Sequence, residues 1–163
     1  MAFSTVPTVV VGQLHTAAMW NTYIRDNGNW YGTRKGFLIS RVAAQSLPNN
    51  ATTLVSFDTE TVDTDGFGAV PSTAYTVPSG LDGIYSITGT VALAGSGGAD
   101  AFARLIVGGV VADSGRISTV GLNVSVSATV AMAATNTFTL SVFQNSGAAL
   151  NATATLRAYF VGR

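Results

Sequence analysis

The residues best suited to chemistry are a cluster of acids in the first half of the chain. Asp58, Glu60, Asp63 and Asp65 lie close together, and Gly66 follows them. Calcium prefers several oxygen ligands on a bent loop, and Asp63-x-Asp65-Gly66 resembles the start of such a loop. The closing glutamate of a calcium loop is missing. We therefore predict no cofactor and no bound metal, with Asp63 and Asp65 as weak candidates beside the alternative of a turn with solvated carboxylates.

Catalysis finds little support in the remaining residue types. His15 is the only histidine, there is no cysteine, and no G-x-S-x-G motif is present. A nucleophile needs a neighbouring base, so thiol catalysis is excluded and a serine mechanism has no motif to support it. Gly95-Ser-Gly-Gly98 is not followed by Lys-Ser/Thr, so it does not form a phosphate-binding loop. We predict that the protein is not an enzyme.

The composition points to a protein that covers itself with neighbours. Charged residues make up only 10% of the 163 residues, 47% are apolar, and the formal net charge is zero. Soluble proteins usually contain about 25% charged residues. A surface with so few charges suits self-assembly. Neither half is basic enough to bind nucleic acid, and no apolar run approaches the roughly 18 residues of a membrane span.

Residues 1–36 differ in texture from the rest, because they hold both tryptophans and the histidine. An extended arm is followed by a short helix that Thr16 can cap and that Asn27-Gly28 can end. A helix of about three turns is unstable alone in water, so it must dock on its own domain or on a neighbouring molecule. Aromatic residues tend to dominate interface energies. The predicted attachment and interface residues are Trp20, Tyr23, Ile24, Trp30 and Tyr31.

From residue 37 to residue 163 the sequence alternates between apolar and polar residues, with breaks rich in Gly and Asn. Gly108-Gly109 between two apolar runs is a strong hairpin signal. A polar loop is predicted over 58–72. About eight to ten short strands without intervening helices are typical of a sandwich or barrel. The predicted strands include 37–44, 53–57, 74–77, 84–94, 102–107 and 110–114.

The order of several motifs resembles a known family. The motifs are Leu38-Ile-Ser-Arg-Val-Ala-Ala-Gln-Ser-Leu-Pro-Asn-Asn50, Gly83-Ile-Tyr-Ser-Ile-Thr-Gly89 and Leu140-Ser-Val-Phe-Gln-Asn-Ser-Gly147. Together they resemble the jelly-roll family of tumour necrosis factor and the globular head of complement first component q, and more closely its bacteriophage members. The resemblance covers about residues 37–163. It implies an all-β, antiparallel jelly-roll β-sandwich that forms a homotrimer, behind an N-terminal arm and helix.

The N-terminal region carries a second resemblance. Gly12-Gln-Leu-His-Thr-Ala-Ala-Met-Trp-Asn-Thr-Tyr-Ile-Arg-Asp-Asn27 is similar to a segment that opens many phage virion proteins, with His15 interrupting the usual Leu-Thr step. The resemblance implies a virion protein made in the host cytoplasm and carried on the particle surface. It divides the chain into an attachment arm, 1–36, and a jelly-roll domain, 37–163.

Two placements on a virion stay open at this stage. A trimer that decorates the capsid would attach to the major capsid protein. A tail-fibre or baseplate knob would instead bind a host receptor or a surface glycan. The sequence contains no heptads, collagen-like run or internal repeat that would form a stalk, which favours decoration. A glycan site needs exposed aromatic residues; Phe67 and Tyr75 lie near the acidic loop, and most of the others are predicted to lie in the core or at a trimer axis. A carbohydrate-binding module outside any virion is a third reading, which the N-terminal segment disfavours.

Overall fold

The computed structural model describes residues 16–25, 28–29, 34–94, 101–117 and 123–163. The chain divides into two compact units, Met1–Arg34 and Lys35–Arg163. Each unit is described by itself below.

The first unit contains a short helix that departs from the predicted regular form. The α-helix α1 spans Ala17–Met19, and a π-helical turn follows over Trp20–Arg25. The Thr16 hydroxyl accepts a hydrogen bond from the backbone N–H of Met19 at 3.3 Å, as the capping prediction requires. The segment after Met19 is rich in Asn, Thr, aromatic and β-branched residues, which are weak helix formers. Of the predicted stop Asn27-Gly28, Asn27 lies outside the described residues, and Gly28 has a helical backbone.

The second unit is an antiparallel β-sandwich of two sheets, which confirms the predicted jelly roll. One sheet has the strand order β3-β1-β10-β5-β8, and the other has the order β2-β9-β6-β7 with β4 paired to β9. The strands are β1 Gly36–Leu47, β2 Ala51–Leu54, β3 Thr59–Asp63, β4 Tyr75–Thr76, β5 Gly83–Ala94, β6 Ala101–Val107, β7 Val110–Ile117, β8 Asn123–Met132, β9 Thr137–Gln144 and β10 Leu150–Gly162.

Aromatic side chains fill one end of the core between the two sheets. Phe37, Tyr75, Tyr85 and Phe138 are all fully buried. The ring centroid of Phe37 lies 4.8 Å from that of Tyr75 and 5.1 Å from that of Phe138. Truncating a buried aromatic residue to alanine typically costs about 3–5 kcal/mol of stability. This cluster therefore holds the two sheets together, and its residues are unavailable to a ligand.

Two local features show why the strands end where they do. Gly108 and Gly109 have φ angles of 57° and 83°, as a type I′ hairpin between β6 and β7 requires. The predicted polar loop over 58–72 instead contains β3, a strand at the sheet edge whose first four residues are exposed. Its side chains lack the apolar alternation of an inner strand, because an edge strand of this kind buries little.

Candidate functional site

Each carboxylate of the acidic cluster is bound by other groups of the protein. Asp63 Oδ1 accepts hydrogen bonds from the backbone N–H groups of Asp65, Gly66 and Phe67, at 3.2, 2.8 and 3.0 Å. Asp63 Oδ2 accepts a fourth from Gly68 at 3.0 Å. Asp63 therefore organises the loop after β3 as a ring of backbone donors around one carboxylate, which leaves little lone-pair capacity for a cation.

The neighbouring acids point to other partners. Asp65 forms a salt bridge of 3.1 Å with Lys35, and both side chains are about nine-tenths buried, with exposures of 13% and 10%. Glu60 accepts a hydrogen bond from the Tyr75 hydroxyl at 3.1 Å. No group of three or more potential metal ligands gathers within the described residues. The structure thus gives the weak candidates Asp63 and Asp65 a role in shaping the loop.

Asp58 binds the backbone of β1 at a break in its strand pairing. The pairing of β1 with β10 shifts register between Arg41 and Gln45, and the two carboxylate oxygens of Asp58 accept from the N–H groups of Val42 and Ala43 at 2.9 and 3.0 Å. The hydrogen bond from Val42 holds the pKa of Asp58 below its ordinary value, and those from Ala43 and Thr59 and the nearby Arg41 guanidinium act in the same direction against desolvation. The Asp58 carboxylate therefore replaces the backbone acceptors that this stretch of β1 lacks.

The outer face of the sheet with the order β3-β1-β10-β5-β8, termed the assembly face, is broad and almost without charge. The strand registers set one row of hydroxyl side chains across it, from Ser40 through Thr155 and Thr90 to Ser125. Among the described residues, Arg157 is the charged residue that the strand registers set on this face, and Arg41, paired with Asp58, lines its groove. The other members are Leu38, Val42, Thr59, Val62, Ile84, Ser86, Thr88, Ala92, Ala94, Asn123, Ser127, Thr129, Ala131, Asn151, Thr153, Tyr159 and Val161.

Large aliphatic side chains of the assembly face stand in solvent. Val42, Val161, Val62 and Ile84 are 64%, 62%, 40% and 39% exposed. A groove of about 580 Å³ lies on the same face beside Val42. Four strands line it, and its walls include the hydroxyl row Ser40, Thr155, Thr90 and Ser125 together with Arg41. Small hydroxyl side chains let another surface approach closely, and exposed aliphatic residues gain free energy when they are covered.

The predicted attachment residues are described only in part. Trp20 and Ile24 are each 53% exposed, and Tyr23 is half-buried. Trp30 and Tyr31 lie outside the described residues. The exposed pair fits a docking role, because exposed Trp and Ile side chains are costly in water unless a partner covers them. None of the helices that the structure describes is both long enough and apolar enough to cross a lipid bilayer.

The sandwich is similar to solved structures of known proteins. No protein-family model matches the sequence, and no curated protein sequence matches it. The globular domain of the zebrafish complement 1qA protein matches with a TM-score of 0.59 and 14% identity, over 79% of this chain and 98% of that chain. The vertex protein P5 of phage PRD1 matches with a TM-score of 0.56 and 18% identity, over 78% of this chain and 96% of that chain. At these identities the likeness shows that the second unit has the jelly-roll fold of this group.

Proposed function

We propose that this protein is a non-enzymatic structural protein of a phage virion, and that its jelly-roll domain forms a homotrimer through the assembly face. The observation that carries the proposal is the assembly face itself, which combines few charges, many small hydroxyl residues and four exposed aliphatic side chains. Stable interfaces between copies of one chain are more apolar than ordinary surface and poor in charge. A face of this kind left in water would be an aggregation hazard.

The similar solved structures support this proposal through their shared fold. These structures include a complement globular domain and a phage vertex protein. A closed three-fold ring lets each copy cover the face of the next without open-ended growth, whereas an unclosed arrangement would form filaments. A trimer would therefore cover the assembly face of every copy and end the assembly at a defined size.

Residues 1–36 are proposed as the arm that attaches the trimer to the particle, with residues 37–163 as the trimeric head. Trp20, Tyr23, Ile24, Trp30 and Tyr31 would dock on another virion protein, in the first place the major capsid protein. A tail or baseplate position is the alternative placement. Exposure of Trp20 and Ile24 supports docking, since large apolar side chains gain free energy when a partner covers them.

The assembly proposal is tested by one matched pair of substitutions in the full chain. Thr90→Arg places a long cation in the middle of the assembly face, whereas Thr52→Arg makes the same change at an exposed position on the opposite sheet. Light scattering after size exclusion should show a trimer for the wild type and Thr52→Arg and a monomer for Thr90→Arg. A monomeric wild type, or a trimeric Thr90→Arg, would overturn the proposed interface.

The placement is tested by deleting residues 1–34, so that Lys35 and the whole of β1 remain. The truncated protein should remain trimeric and lose binding to purified capsids, and gold-labelled antibody should mark heads in electron micrographs of intact particles. Label confined to tails would replace capsid decoration with the fibre or baseplate alternative. A truncated protein that still binds capsids would refute the role of the arm.

A further inference from the structure

The outer face of the second sheet has a different surface chemistry. The registers of four neighbouring strands align Thr52 on β2, Phe143 on β9, Phe102 on β6 and Arg116 on β7 in one row. The two phenyl rings are half-buried, with centroids 6.3 Å apart and planes inclined by 36°. The guanidinium carbon of Arg116 lies 6.0 Å from the Phe102 ring centroid. With the usual strand spacing of about 4.8 Å, this row is roughly 14 Å long.

The next row on the same face adds a second cation. Leu54, Ser141, Arg104 and Ser114 stand side by side on the same four strands. Arg104 is exposed and forms no ion pair with any acid in the described parts of the chain. No Asp or Glu projects from the described residues of this face, because Asp113 pairs with the core residue Leu105 and its carboxylate accepts from the Ser127 N–H of the other sheet. Arg104 therefore gives this face an exposed positive charge that no acid among the described residues neutralises.

We propose that these two rows, the aromatic–arginine platform, bind an acidic polysaccharide of the uronic acid class. A pyranose ring has an apolar face of C–H groups that can pack on Phe102 and Phe143. Its carboxylate can pair with the guanidinium of Arg104, which offers a planar set of donors that matches a carboxylate. The Thr52 hydroxyl lies beside Phe143 and the Ser114 hydroxyl lies beside Arg104, and both can exchange hydrogen bonds with the sugar hydroxyls. This binding activity goes beyond the proposed structural role and uses the sheet opposite the assembly face.

Charge complementarity and shape favour a carboxylated sugar over other anions. Nucleic acid is held largely by many phosphate contacts, and two arginines on a protein of zero net charge supply too few. The half-buried rings are too few for the large buried aromatic core typical of a tight protein interface. A ligand with apolar ring faces and carboxylates at the ring edges uses both features of the platform at once.

The test uses the full-length protein and a short oligogalacturonate as probe, with binding measured by isothermal titration calorimetry. A short probe reports one site at a time, so trimer formation does not alter the affinity per site. Neutral dextran fragments and single-stranded oligothymidylate of similar length serve as comparison ligands. Oligogalacturonate should bind at least about tenfold more tightly than either, since it alone offers both carboxylates and sugar faces.

Three single substitutions locate the site. Arg104→Gln should weaken oligogalacturonate binding by about tenfold, and Phe102→Leu by about fivefold, while both variants keep the wild-type melting profile. Arg163→Gln removes an exposed arginine at the C-terminus, outside the platform and the assembly face, and should leave binding unchanged. Equal loss in Arg104→Gln and Arg163→Gln would indicate general charge attraction and overturn the proposal, as would equal binding of dextran or oligothymidylate.

The platform and the trimer can fail independently. The Thr90→Arg variant should bind oligogalacturonate with the wild-type affinity even as a monomer, because its substitution lies on the other sheet. If the wild type is monomeric and still binds, the assembly proposal fails alone. If the wild type is trimeric and does not bind, the platform proposal fails alone.

Discussion

Replacing Asp63 with alanine removes the acceptor of four backbone N–H groups at once. Two of the donors, Asp65 and Phe67, are partly buried, whereas the N–H groups of Gly66 and Gly68 are exposed and can turn to water. A buried donor left without a partner costs about 1–3 kcal/mol. The two partly buried donors therefore predict a loss of about 2–6 kcal/mol in the free energy of unfolding.

Urea denaturation with linear extrapolation measures this loss, and the slope should be unchanged if the native and denatured states are otherwise alike. Asp63→Asn is the matched control, because its carbonyl oxygen can still accept the bonds now made to one carboxylate oxygen. It should cost less than the alanine variant. A loss below about 1 kcal/mol for Asp63→Ala would refute the view that this carboxylate organises the loop.

The same residue separates a structural loop from a calcium site. A cation that binds only the folded protein at 100 times its dissociation constant adds about 2.7 kcal/mol of stability. Since both oxygens of Asp63 already accept hydrogen bonds and Asp65 is paired with Lys35, we expect millimolar calcium and a chelator to give the same melting temperature. A clear rise with calcium would show that the cation competes successfully with the backbone donors.

Three further predictions concern stability. Ser141 is 1% exposed and its hydroxyl has no hydrogen-bond partner in the described structure, so Ser141→Ala should stabilise the protein by up to about 1 kcal/mol in urea unfolding, and a loss above that size would contradict the reasoning. The lowered pKa of Asp58 contributes stability that is present above the ordinary aspartate value and is lost as the pH falls through the folded pKa; acid titration should show this component in the wild type and not in Asp58→Asn. Burial raises the pKa values of Tyr75 and Tyr85, and the Glu60 hydrogen bond adds to the rise at Tyr75. The contribution of these two tyrosines to stability should therefore be constant below the ordinary tyrosine pKa of about 10 and fall above it. Replacing either tyrosine with Phe should reduce that alkaline fall, which thermal unfolding between neutral and alkaline pH would measure.

Inner strands such as β5 could be predicted because their apolar and polar side chains alternate along the strand. In β5, Tyr85, Ile87, Gly89 and Val91 face the core, while Ser86, Thr88 and Thr90 face outward. The edge strand β3 could not be predicted in this way, because its residues Thr59–Val62 are all exposed and carry no apolar period. Strand pairing across the chain, and not local pattern, places it in the sheet.

The candidate sites were harder to predict, because they depend on which face of a strand is covered. Phe67 and Tyr75, predicted beside the acidic loop, are buried in the core at 2% and 0% exposure. Phe102 and Phe143 are far apart in sequence and become neighbours only through the pairing of β6 with β9. One signal was available: each lies out of phase with the core residues of its strand, next to Ala103 and Val142, so each had to face outward.

The two outer faces differ in charge, and this difference fits the partner proposed for each face. A face that meets a copy of itself around a three-fold axis brings like charges together, so charges there are repelled and small uncharged residues are favoured. Under the assembly proposal the face on the opposite sheet meets no copy, so it can carry two arginines beside two phenyl rings without that cost. Arginines crowded on the assembly face, or acids on the platform, would contradict this division. The sequence has neither among the described residues of these faces, and the two proposals therefore assign different partners to the two sides of one sandwich.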